Sequence, residues 1–231
     1  MSAAAASPGR SGLQRFVSGF GQEIVVLLSI IVLFVVVGAI NPRFLSDTNI
    51  NSIFAGNAYI AIAAIGMSMI IIAGHIDVSV GALIGVIATI AGTLAVAGYP
   101  VWVAWGVPIL FSMAVNAGVG ALVAYTRIPS IVVTLGMLSI LKGGLITMTA
   151  GEWISDLPPE FMIAQMRPFG IPSAVWFMVG LTILAALFMR YTDFGRSIYA
   201  VGGNMEAARA AGINPERTVV GVFALHGLFA G

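Results

Sequence analysis

The sequence predicts an all-α, polytopic transmembrane helical bundle. Three observations predict it. The 231 residues are 59% hydrophobic and only 8% charged, with mean hydropathy +1.05. A soluble domain carries about 25% charged residues, so polar surface this scarce cannot clothe a globule in water and apolar surface must face lipid. Long apolar runs recur along the chain, near the roughly 20 residues that a spanning helix needs. Seven of the nine arginines fall at the N-terminus or on alternate connections between those runs, in line with the bias of cytoplasmic loops toward positive charge. There are no cysteines and two histidines, so neither a disulfide framework nor a Cys- or His-rich metal site is expected.

Residues 1–23 read as an N-terminal segment and 24–231 as the membrane domain. Positions 1–12 are small and polar, and 13–23 form an amphipathic lead-in. The run 24–40 is near the lower limit for a span. It is longer than the apolar core of a signal peptide, about 7 to 15 residues, and Asn41, Pro42 and Arg43 follow it in place of a small-residue cleavage site. It is therefore read as an uncleaved first span. Residues 41–49 make a turn, with Pro42, Asp47 and Asn49 as breakers and caps. Further runs cover 50–73, 78–97, 101–125, 131–150 and 173–189. Between them lie GHIDVSVG (74–81), a break at Gly98 and Pro100, a break at Arg127, Pro129 and Ser130, and a proline-rich loop over 151–172. A seventh run, 219–231, is too short to span, and a span halted midway would strand backbone carbonyls in hydrocarbon. The sequence is expected to be a truncated piece of a longer chain, with six complete spans and part of a seventh.

With the N-terminus inside and six crossings, Arg10, Arg15, Arg127, Arg190, Arg196, Arg209 and Arg217 fall on the cytoplasmic side. Arg43 and Arg167 fall outside. This count supports both the number of spans and the orientation.

The stretch 190–218 is the one long polar segment between apolar runs, with four of the ten basic residues of the chain. Within it, 205–211 is good helix-forming sequence. Asn204 suits the N-cap, Glu206 and Arg209 suit the two ends of the helix dipole, Gly212 is a natural stop and Pro215 forbids continuation. A short helix outside the membrane follows. Gly195, Gly202 and Gly203 are read as bends on the approach. The other reading is an ordinary solvated connector.

No phosphate-cradling G-x-x-x-x-G-K-[ST], H-E-x-x-H or G-x-S-x-G occurs, and the acids and bases are too scattered for a hydrolytic site. An ATPase or hydrolase is excluded on these grounds, and nothing points to nucleic-acid binding.

Three stretches together resemble the branched monosaccharide permeases of ATP-driven (ABC) importers, which serve ribose, xylose, rhamnose and related sugars; autoinducer-2 permeases are similar. They are GHIDVSVG (74–81), IPSIVVTLGML (128–138) and FGRSIYAVGGNMEAARAAGI (194–213). His75 stands where the family usually has a small residue, and Val78 where leucine is usual. The resemblance implies a multi-pass protein of the inner membrane that translocates a monosaccharide without catalysis or bound cofactor of its own. ATP is used by two cytoplasmic ATPase subunits, which receive a coupling helix. A second permease copy or homologue and a periplasmic sugar-binding protein complete the assembly. The family continues for several spans beyond the position of Gly231. The coupling positions implied are Gly195, Arg196, Gly202, Gly203, Asn204, Glu206, Ala207, Ala208 and Gly212, with Arg209 alongside. Small Ala207 and Ala208 would let the helix seat in a groove, and Glu206 and Arg209 would pair across its rim.

Asp77 is the one carboxylate between Asp47 and Glu152. It reads either as the N-cap of a helix beginning at Val78 or, with Ser79, as part of a translocation path or gate, since ionisable groups in membranes default to function; the two are compatible. His75 reads as interfacial. Lys142 either snorkels to an interface or faces the path. Gly81 and Gly85 form a G-x-x-x-G pair suited to close helix contact. Trp153 and Phe161, with Glu152, Asp156 and Glu160, either dock a binding protein or lie at headgroup depth. A transporter coupled to an ion gradient is the rival function, though it would want paired acids in the membrane; a membrane scaffold without transport is another.

Overall fold

The computed structural model describes residues 12–159 and 166–231. Arg10, Glu160 and Phe161 lie outside the described residues. Among the described residues all regular structure is helical. The chain divides into two units, Met1–Ile53 and Phe54–Gly231.

In the first unit, α1 (Gly12–Ile40) runs unbroken from the lead-in through the first apolar stretch. Between residues 25 and 36 most of its apolar side chains are exposed, Val35 by 63%. Such a face is stable only against lipid or a partner. Asn41 stops the helix: its side chain accepts from the Arg43 amide at 3.1 Å and caps a 3-10 turn over Pro42–Leu45. That turn folds Phe44 edge-on to Phe34, with centroids 5.2 Å apart. Asp47 and Asn49, expected in a turn, instead lie in the first turn of α2 (Asp47–Ile72). Asn49 holds the junction by donating to the Phe44 carbonyl at 2.7 Å.

The second unit takes the rest of α2, then α3 (Val80–Val96), α4 (Val101–Thr126), α5 (Ser130–Thr149) and α6 (Ser173–Tyr191), followed by α7 (Asp193–Gly203), α8 (Met205–Ala210) and α9 (Pro215–Ala230). Four helices, α2, α4, α5 and α6, are long and apolar enough to cross a membrane. The chain is thus a polytopic membrane bundle. The stretch Ile24–Ile40 and α3 are shorter. The 17 residues of α3 rise about 25 Å against a hydrocarbon core of about 30 Å.

Glycines set how closely the helices approach. α9 lies antiparallel along α4. A side chain at Gly120 would strike Phe223, and one at Gly227 would lie 2.5 Å from the Ser112 carbonyl. α3 and α5 advance in the same direction, since Val78 pairs with Thr134, Gly85 faces Leu145 and Gly92 faces Ile154. Of the expected G-x-x-x-G pair only Gly85 meets a neighbour; the space at Gly81 is open. Removing Cβ atoms here trades side-chain contact for backbone approach, the packing mode suited to lipid.

The stretch 190–218 departs most from expectation. It holds two helices rather than one, and both are packed on the bundle. Thr192 caps α7 by accepting from the Gly195 amide at 3.0 Å. Ile198 and Val201 are buried in the same core as Met69, Ile70 and Phe223. Gly195 and Gly202 are therefore not bends. A Cβ at Gly195 would lie 2.5 Å from the Met189 carbonyl, and one at Gly202 would overlap the Ile72 carbonyl. Glycine is needed at both for close approach within a helix.

Candidate functional site

Three remote stretches converge at one end of the second unit. They surround a cleft of about 370 Å³ whose walls include Gly74, His75, Arg127, Ser130, Met205 and Glu216. The end of α2, the α4–α5 junction and the start of α8 and α9 thus share one face of the bundle.

The first stretch is built by a helix stop. Gly74 adopts φ +85°, and the amides of Gly74 and His75 reach back to the carbonyls of Ile71 and Ile70, each at 3.0 Å. This is the glycine-terminated helix end that satisfies orphan carbonyls. The chain then runs without regular structure to Ser79. Its amides find side chains of α5 in place of a helix ladder: Ile76 N–H donates to Ser130 Oγ at 3.1 Å and Val78 N–H to Thr134 Oγ1 at 3.2 Å. Side-chain oxygens thus satisfy amides that a helix ladder would otherwise take. Asp77 is not an N-cap. α3 begins at Val80 and has no side-chain cap at Ser79. Asp77 Oδ1 instead accepts from the amide and hydroxyl of Ser79, at 2.7 and 2.6 Å. Asp77 and Ser79 are both buried. His75, half-buried, lines the cleft and faces the Phe223 ring at 6.1 Å.

The second stretch is α8. Asn204 Oδ1 accepts from the Ala207 amide at 2.9 Å and starts the helix. Gly212, at φ +86°, ends it, and the Ile213 amide returns to the Ala208 carbonyl at 3.0 Å. Ala208 is buried in the core, while Glu206, Ala207 and Ala210 stay exposed. The two alanines therefore do not share an outer face: Ala208 seats α8 on its own bundle and Ala207 points away. Arg209 does not pair with Glu206. It bridges to Glu216 of α9 at 2.6 Å. Arg196 pairs with Asp193 on the exposed side of α7, and Gly203 meets nothing.

Lys142 is exposed on α5, one residue from buried Leu141. It is not brought to Asp77 and Ser79. The described residues contain no cluster of three His, Cys, Asp or Glu side chains able to hold a metal ion. The reading of residues missed His226, Ser130 and Thr134. His226 is fully buried, with its Nε2 3.5 Å from Asp77 Oδ2. No local pattern announces such a pairing; an ionisable side chain within an apolar run was the available signal.

The comparisons with known proteins fit this architecture. Residues 49–231 match the family described as branched-chain amino acid transport system / permease component. The chain belongs to this permease family. The permease is 33% identical over 210 residues to the autoinducer 2 import system permease protein LsrC of Escherichia coli O9:H4 (strain HS), covering 90% of the permease and 61% of that relative. It is 35% identical over 207 residues to the protein of the same name from Salmonella typhi, covering 89% and 60%. For the Shigella flexneri protein the figures are 34% over 210 residues, 90% and 61%. The permease thus spans about three-fifths of the length of these curated relatives. No solved structure matches it.

Proposed function

We propose that the chain is the membrane part of an ATP-driven importer of the inner membrane, carrying a monosaccharide or a related small polar solute. The N-terminus lies in the cytoplasm, as the arginine distribution indicates. Two ATPase subunits bind the cytoplasmic face, a second permease copy or homologue completes the path, and a periplasmic binding protein delivers the solute. The name of the LsrC relatives, which describes an import system for autoinducer 2, fits a small polar cargo. ATP serves the partner subunits; this chain uses none.

One observation carries the reading. α8 is a short, capped helix with an outward face at Glu206, Ala207 and Ala210, and its inward residue Ala208 is anchored in the core. A helix held in this way transmits force instead of swinging freely. Its neighbours Asn204 and Gly212 fix its ends, Gly195, Gly202 and Arg209 hold the α7–α9 platform behind it, and Arg196 and Gly203 lie on the exposed side of that platform. On the same reading Asp77 and Ser79 belong to the path or its gate. Lys142, on the exposed face of α5, serves the path only through a second copy.

Co-purification tests this. The full-length permease should bring down its ATPase, and Ala207→Arg, which enlarges the outward face without touching the core, should release it. An Ala207→Arg permease that retains its ATPase and its transport would refute the docking role.

A further inference from the structure

Two ionisable side chains of the second unit are sealed from water, and they face each other. The side chains of Asp77 and His226 are fully buried, with Asp77 Oδ2 3.5 Å from His226 Nε2. Neither atom has a hydrogen-bond partner among the described residues. The other oxygen of Asp77 accepts twice from Ser79. A buried carboxylate with one bare oxygen is costly, and His226 Nε2 is the group placed to serve it. Closing the contact to an ordinary hydrogen-bond length of about 2.9 Å is a small adjustment. α2 holds the ring from behind, because a Cβ at Gly66 would lie 2.7 Å from His226 Nδ1. Neither α3 nor α4, two of the helices packed on α9, carries an acid, a base or a histidine.

This contact joins the two halves of the candidate site. Asp77 belongs to the irregular stretch whose amides hang on Ser130 and Thr134 of α5. His226 belongs to α9, which follows α8 and is tied to it by the Arg209–Glu216 bridge.

We propose that His226 donates Nε2–H to Asp77 Oδ2, and that this bond is a latch through which movement of α8 and α9 reaches the 74–79 stretch. His226 is a positioning residue: it acts on the path through Asp77. The purpose of the latch rests on the importer reading; the bond itself does not.

These 231 residues hold two histidines and no cysteine, so both claims are measurable in the permease. With ¹⁵N-labelled histidine in lipid nanodiscs, the signal lost in His226→Gln is that of His226. His226 is expected as the Nε2–H tautomer, with a resonance that moves in Asp77→Asn. An Nδ1–H tautomer, or a signal indifferent to Asp77→Asn, overturns the bond. For the movement, Val78→Cys places a reporter beside Asp77 and leaves the backbone bond to Thr134 in place. In the complex with its ATPase, a non-hydrolysable ATP analogue should change maleimide labelling at position 78 by about tenfold. His226→Phe, bulky but without a donor, should abolish the change, and His226→Gln, which keeps an N–H donor, should restore part of it. A change that survives His226→Phe overturns the latch alone. No change even in the complex with His226 intact means that the importer reading has failed, while the His226 spectrum still decides the bond.

Discussion

Arg209 of α8 and Glu216 of α9 close an ion pair of 2.6 Å across the turn that separates their helices. The pair gives α8 a second anchor besides buried Ala208. The Glu216 carboxyl is held below the usual carboxylate range, first by its own backbone N–H and then by Arg209. Arg209 is raised in turn, chiefly by its hydrogen bond to Glu216.

The sign of the pH effect follows. A carboxylate depressed in the folded state contributes fully above its unfolded pKa of about 4.3. The contribution is lost as pH falls through the folded value. Amide protection of α8 should therefore lose nothing from this bridge between pH 6 and 8. Glu216→Gln should lower protection factors at residues 205–210 at neutral pH, toward the level that the unsubstituted protein reaches only in acid. The loss should be modest, because the pair is exposed. Hydrogen exchange followed by mass spectrometry measures it.

Gly202 and Gly203 are neighbours with opposite tolerance. A methyl group at Gly202 overlaps the Ile72 carbonyl, whereas the space at Gly203 is open. Gly202→Ala must push α7 off α2, at a cost of about 1–3 kcal/mol or more. Gly203→Ala should be nearly neutral. Thermal unfolding in detergent distinguishes the two, and equal midpoints would contradict the packing of α7.

The 74–79 stretch depends on side chains of α5 for its amides. Thr134→Val keeps the shape and leaves the Val78 amide without its 3.2 Å partner. An unsatisfied buried donor costs about 1–3 kcal/mol. Thr134→Ser should recover most of that loss, and Ser130→Ala should act at Ile76 in the same way. Chemical denaturation of the purified permease gives the order of the series.

Lys142 lies on the exposed face of α5. Lys142→Gln should leave the unfolding midpoint of the isolated permease within about 0.5 kcal/mol of the unsubstituted protein. A larger loss would mean that the ammonium group braces this bundle.

The membrane bundle was legible because long apolar runs leave few alternatives, and helix ends followed their punctuation at Asn41, Pro100 and Pro129. The ends of α8 were legible for the same reason: Asn204 and Gly212 act on the backbone next to them. α7 was not legible. Its glycines look like bends in isolation, and only the carbonyls of Met189 and Ile72 show that they are contact points. The inward face of Ala208 and the pairing of Arg209 were not legible because their partners, the core and Glu216, lie outside the local motif. Asp77 drew attention as a lone charge, but its relations to Ser130, Thr134 and His226 are tertiary. No periodicity within one segment encodes a bond to another helix.

The central claim is that α8 presents its outer face to the cytoplasm. Ala207→Cys adds the sole thiol to a chain that has none, at an exposed position. The account predicts that a membrane-impermeant maleimide leaves this residue untouched in intact cells and labels it in inside-out vesicles, with protection when the ATPase is bound. Labelling from outside in intact cells would contradict the account.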